Sequence, residues 1–166
     1  MSMQIADVVI PAGAEGEVVM MLGTLVQVKV PSTRTEGVFS VVEHTVPPLA
    51  GPPLHTHPET EILYVLSGEF DVGIGAEIAR AKEGAVIHVP PETPHSTKNV
   101  GERAGRLLSI YLPGSADRFF VEAGTPVSTG APLPDLDRAA DLSGVDVPAV
   151  LAIAERHGMR IVGTGR

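Results

Sequence analysis

The chain has 166 residues, 43% of them apolar, with 18 Gly and 15 Pro but only four Phe, two Tyr and no Trp. That length and apolar share exclude a disordered protein and suit one domain able to bury roughly 70% of the surface its unfolded chain exposes. The absence of cysteine excludes a disulfide framework, a zinc–thiolate site and a Cys nucleophile. A net charge of −8 argues against nucleic acid as a partner, because such binding draws on a positive surface.

No Lys or Arg precedes Lys29, so the start lacks the basic region of a secretory signal. The longest apolar stretch, 18–28, is interrupted by Gly23, Thr24 and Gln27 and falls short of the roughly 20 residues that span a bilayer. A soluble, cytoplasmic protein with no membrane partner is expected. One strand is predicted over 17–30, ended by Pro31. Others follow at 39–46, 61–67, 70–74, 78–82, 86–89, 95–100 and 106–112, each bounded by Gly or Pro. Short strands without an alternating helical rhythm predict an all-β sandwich or small barrel rather than a doubly wound parallel sheet. The C-terminal part changes character. A short helix is expected up to Ala123, with Ser115 as N-cap and Gly124 as its stop. Residues 125–144 read as an acidic, Pro-rich wrap with one turn at 136–141. Asp146 then caps a second helix reaching His157, with Val147, Val150, Leu151 and Ala154 as one apolar stripe and Gly158 as terminator. Residues 160–162 add a last strand. The organisation expected is a barrel over 1–114, including the N-terminal strands, and an extension over 115–166 packed on it.

Histidine placement carries the chemistry. His55 and His57 are two apart, so in an extended chain both face the same way. Glu61 opens the next strand and shares its inward face with Leu63 and Val65, and His95 opens a later strand that barrel closure could bring opposite. A lone His-x-His is more often two unrelated surface histidines. Three imidazoles and one carboxylate together make a site for one divalent transition metal, with Fe, Mn, Ni, Co and Zn all admissible. Four protein ligands leave positions open on a six-coordinate ion, as a catalytic metal needs.

Gly51-x3-His55-x-His57-x3-Glu61-x6-Gly68 resembles the first motif of the cupin superfamily, and Gly84-x5-Pro90-x-Glu92-x2-His95-x3-Asn99 resembles the second. Two positions depart from it. Gly51 sits three residues before His55 rather than five, and Glu92 stands where the pattern has Gly, so its turn must avoid positive φ or accept strain. The resemblance implies a jelly-roll β-barrel holding the metal near one mouth on His55, His57, Glu61 and His95. The tail, with DRFFVEAG at 117–124 and Arg156-His157-Gly158, is similar to small single-domain bacterial cupins of quercetin 2,3-dioxygenase-like type. For such oxygenases the implied substrate is a small enolisable or phenolic molecule. Glu61 is either the base that takes its proton or a ligand only. A non-oxidative metal cupin (isomerase, lyase or polyketide-type cyclase) and a non-enzymatic binding cupin are the alternatives.

His44 and His88 are expected to be hydrogen-bonded or exposed, with one of them able to support a ligand or substrate. His157 is a helix-terminal cation. Glu59 is expected to be solvated, pointing away from the ligands, and Glu92 an exposed turn residue. Tyr64 is assigned to packing. The strand around it is apolar on both faces, since Ile62, Tyr64 and Leu66 oppose Glu61, Leu63 and Val65. The outer face needs the N-terminal strand, the C-terminal helix or a second subunit to cover it, and a homodimer is expected. Light scattering should give about twice the chain mass of 17.3 kDa, and a mass near the single-chain value would reject the dimer.

Overall fold

Along 60–67 every second side chain is buried (Glu61, Leu63 and Val65), while Tyr64 between them reaches solvent. That alternation, which gives a strand one interior face, recurs through the molecule. The computed structural model describes residue 10 and residues 17–163. Its strands are β1 (Val18–Met21), β2 (Thr24–Val30), β3 (Ser40–Val46), β4 (His55–Thr56), β5 (Thr60–Ser67), β6 (Glu69–Ile74), β7 (Glu77–Lys82), β8 (Val86–Val89), β9 (His95–Asn99), β10 (Gly105–Leu112), β11 (Thr125–Pro126) and β12 (Arg160–Ile161). The helices are α1 (Ala116–Ala123) and α2 (Val147–Arg156).

Two antiparallel sheets result, one ordered β11-β1-β2-β3-β10-β5-β8 and the other β12-β4-β9-β6-β7. The chain passes between them at β3–β4, β4–β5, β5–β6, β7–β8, β8–β9, β9–β10 and β11–β12, so the sheets face each other as a jelly-roll barrel, as expected. One core cluster gathers Val46, Leu63, Val65, Phe70, Val72, Val89 and Leu107 between the sheets. A second packs Val19, Val26, Val42 and Tyr111 beneath Phe119 and Phe120 of α1 and Ala154 of α2.

The single strand expected over 17–30 is a hairpin. Leu22 (φ 48°) and Gly23 (φ 79°) form the two-residue turn between β1 and β2. Positive φ at both central residues matches the twist of the flanking strands, but Leu22 hides the turn inside an apolar run. Ser115 precedes α1 yet makes no side-chain cap; its hydroxyl donates to the Glu59 carboxylate. Asp146 does cap α2, accepting from the Ala149 N–H at 3.0 Å, and Gly158 (φ 80°) follows its end. The buried face of α2 differs from the stripe read in the sequence. Val150 and Ala154 are buried and Ile153 packs beside them, whereas Val147 and Leu151 are exposed. At the end of the helix His157 Nε2 donates to Glu122 of α1 at 2.7 Å.

On the outer face of β5 and β8, Tyr64 and Val86 are cross-strand neighbours and both exposed, with Ile62 and Leu66 half-buried. No helix among the described residues is long and apolar enough to cross a membrane. Phe120, 6% exposed, joins the helical layer to the barrel through ring contacts with His44, Tyr111 and Phe119. Phe120→Ala should therefore cost about 3–5 kcal/mol of unfolding free energy, measured by urea denaturation.

Candidate metal centre

His55 lies directly opposite His95 where β4 pairs with β9. His57 follows β4 in the chain, and its carbonyl accepts the Glu92 N–H at 2.9 Å, which ties the loop of the first motif to the turn of the second. Glu61 comes from β5 in the facing sheet, cross-strand from Tyr111 of β10. Gly51 lets the loop before β4 press onto β9, since a Cβ there would sit 1.9 Å from the Thr97 carbonyl oxygen. At the end of β9, Asn99 is fully buried and donates to the carbonyls of Val46 and Arg103, both at 2.8 Å.

The four sequence-selected residues converge. All are 5% exposed or less. Ring centroids are 4.3 Å apart for His55–His95, 4.9 Å for His57–His95 and 5.6 Å for His55–His57. One nitrogen from each imidazole lies within 4.8 Å of the others, so the three histidines form a group able to hold a metal ion. Glu61 Oε2 is 3.3 Å from His57 Nε2 and 3.2 Å from His95 Nε2.

The outer hydrogen bonds decide what points inward. His55 Nδ1 donates to the Pro53 carbonyl and His95 Nδ1 to the Thr93 carbonyl, both at 2.8 Å. A carbonyl only accepts, so these Nδ1 atoms carry the ring protons and neutral rings present Nε2 lone pairs to the centre. His57 Nδ1 lies 3.3 Å from Glu59 Oε2, an ion-pair distance off the line of a good hydrogen bond. That carboxylate favours the same tautomer. Lone pairs and a carboxylate oxygen at these separations repel unless a proton or a cation lies among them. The donor set fits a divalent transition metal.

The same competition sets the titration of the groups. Burial opposes charge on His57, but Glu59 and Glu61 overcome it and lift its pKa to about 9. Burial and the neighbouring His95 lower His55 to about 4. Burial would raise Glu61, yet the facing His57 and His95 imidazoles hold it well below the usual carboxylate range. Tyr111 is pushed well above its ordinary value by burial and by Glu61, so its phenol keeps its proton.

Several side chains differ from the sequence expectation or were passed over by it. Glu59 is 3% exposed rather than solvated, between His57 and Ser115. Alternation misplaced it because β4 ends at Thr56 and Pro58 bends the chain before β5. Glu92 takes positive φ (57°), accepting the strain a Gly would avoid, and its exposed carboxylate accepts from Arg160 Nη2 at 2.9 Å. His88 is exposed. His44 lines the cavity that opens from the metal centre, and burial lowers its pKa to about 4. The cavity measures about 140 Å³, and its walls include Leu63, Phe70, Leu107, Phe119, Phe120 and Val150.

Residues 42–111 match the family model of the cupin domain. Over that segment, under half of the chain, the barrel resembles a cupin. An uncharacterized protein of Methanocaldococcus jannaschii is 33% identical over 75 residues, which is 45% of this chain and 60% of that protein's length. A cupin-fold crystal structure from Thermotoga maritima, described as a predicted oxalate decarboxylase, superposes with a TM-score of 0.57 at 21% identity, covering 63% of this chain and 98% of that one. Bacillus subtilis oxalate decarboxylase gives 0.54 at 24% identity, covering 61% of this chain and 28% of that one. At these identities the solved structures share the fold.

Glu59 holds the one imidazole of the cluster that lacks a carbonyl partner. Glu59→Gln keeps the volume and removes the charge, and should weaken divalent-metal affinity about 10- to 100-fold, read by competition with a chelating indicator.

Proposed function

We propose that this chain is a metal-dependent cupin of the dioxygenase type, acting on a small enolisable or phenolic substrate in the barrel. The ligands assigned to the ion are His55, His57, Glu61 and His95. One observation carries the reading: three imidazole nitrogens and a carboxylate oxygen face one another, buried, on the wall of an apolar cavity. A further support is that Bacillus subtilis oxalate decarboxylase has Mn(II) centres. A bound divalent ion there supplies Lewis acidity and, where redox-active, a path for electrons to O2.

The chain's own residues do the rest. His55, His57 and His95 are held in register by their outer Nδ1 partners, so little reorganisation accompanies ligation. Glu61 is buried and ionised, and can accept the proton of a substrate hydroxyl at its carboxylate oxygen. Leu63, Phe70 and Leu107 exclude water around the reacting oxygen. No lysine or arginine lines the cavity among the described residues, which favours an uncharged substrate over a dicarboxylate.

Tyr111 supports a second reading. A protonated phenol cross-strand from an ionised carboxylate is an acid–base pair, which suits proton relocation by a non-oxidative isomerase, lyase or cyclase. Oxygen-electrode traces separate the two. Protein loaded with Mn, Fe, Co or Ni should consume O2 with at least one of a panel of catechols, diketones and flavonols. Absence of uptake with every metal, together with product formation, would favour the second.

Ligation itself is tested apart from turnover. Elemental analysis should find one divalent ion per chain in the wild type and a marked loss in His57→Ala. Metal at 100 times its Kd should stabilise the wild type by about 2.7 kcal/mol and leave the thermal midpoint of His57→Ala unmoved.

A further inference from the structure

Five of the six histidines have a place. His55, His57 and His95 form the cluster, His157 joins the two helices, and His88 is exposed. His44 remains. It projects from β3 into the same cavity, with its ring edge-on to Phe120 at 5.1 Å between centroids. Its Nε2 is sealed from solvent and has no hydrogen-bond partner. Around it the wall is apolar, formed by Val46, Leu107, Phe119 and Phe120. A buried ring nitrogen is costly to leave unpaired, so such a group on a cavity wall marks where a ligand's polar atom belongs.

The strand register places it relative to the metal centre. Glu61 pairs with Tyr111, which pairs with Ser40, and those three share one inward row. Two inward rows further along, Val65 pairs with Leu107, which pairs with His44. Successive inward rows on a strand are about 7 Å apart, so His44 stands towards the far end of the cavity from Glu61. The volume of about 140 Å³ is close to that of an engineered apolar cavity of about 150 Å³ that binds benzene, so it admits one ring.

We infer that His44 is the specificity-determining residue of this site, reading an oxygen on the distal side of an uncharged, single-ring ligand whose proximal oxygens lie against His55, His57, Glu61 and His95. This rests on the metal-centre reading and narrows it. The ligand is a monocyclic phenol or enol carrying a second polar group across the ring, and a two- or three-ring flavonol is too large for the cavity. The neutral imidazole has one N–H and one lone pair, so it can serve a hydroxyl or a carbonyl.

The test uses two probes of equal size, 4-ethylcatechol and 4-(hydroxymethyl)catechol, titrated into metal-loaded protein and read by calorimetry. Wild type should bind the hydroxymethyl probe about tenfold more tightly than the ethyl probe, the equivalent of one well-placed hydrogen bond. His44→Phe keeps a ring against Phe120 and should erase or reverse that preference, while His44→Gln, which retains hydrogen-bonding capacity, should keep part of it. Both variants should still hold one metal per chain. A preference that survives in His44→Phe, an absent preference in wild type, or failure of both probes to bind the loaded protein would overturn the assignment. Wild type that takes up no metal at all would instead overturn the underlying metal centre, so the two failures are told apart by elemental analysis.

Discussion

Everything in this molecule is arranged around groups that repel one another. Glu61 Oε2 and the Nε2 atoms of His57 and His95 sit 3.2–3.3 Å apart in a buried space, with His55 beside them. Glu59 adds a second buried carboxylate behind His57. Assembling such a set is unfavourable without positive charge at its centre, because desolvated acceptors have no water to turn to. A proton on His57 meets part of the need, which is why two carboxylates lift that ring to about 9 although burial opposes it. A dication would meet more of it, and the three histidines form a group able to hold one.

The barrel makes this arrangement possible by supplying the groups from opposite walls. His55 and His95 are paired on one sheet and Glu61 stands on the other, so closing the sandwich brings them together. The C-terminal segment then braces the open side. β12 pairs with β4 so that Ile161 lies opposite His55, and the Val162 N–H donates to the Leu54 carbonyl at 2.9 Å. Arg160, in that same strand, reaches Glu92 in the turn before His95. One two-residue strand thus bonds to the segments bearing both halves of the histidine cluster. α1 contributes through Phe119 and Phe120 on the cavity wall and through the Ser115–Glu59 contact behind His57.

The ligand set was legible in the sequence because it rests on local rules. Two residues apart on a strand means one face, which paired His55 with His57 and, separately, Glu61 with Leu63 and Val65, and barrel closure was expected to bring His95 opposite. The barrel strands were legible from Gly and Pro punctuation, to within a residue or two at their ends. What escaped were positions where a local rule is interrupted. Glu59 was misplaced because the chain stops being extended between Thr56 and Thr60. The β1–β2 turn was hidden because Leu22 adopts a left-handed conformation that a leucine seldom takes. The exposed faces of Val147 and Leu151 depend on how α2 docks against α1, which no periodicity within α2 encodes. The importance of His44 lies in what its Nε2 lacks, and a missing partner leaves no mark on a sequence.

A shared barrel does not by itself choose a reaction. Here the buried histidine group is the candidate place for chemistry, and the wall limits what can reach it. That wall carries no lysine or arginine among the described residues, so away from the cluster no permanent positive charge faces a ligand. Its volume suits one ring, and its apolar surface rewards a ligand with few polar atoms. Within it Glu61 and Tyr111 hold opposite protonation states side by side, Glu61 ionised because His57 and His95 face it and Tyr111 neutral because burial and Glu61 disfavour its phenolate. Under the proposed function, a substrate hydroxyl would have to be acidified by a bound ion before Glu61, so weak a base, could take its proton, while Tyr111 keeps its own.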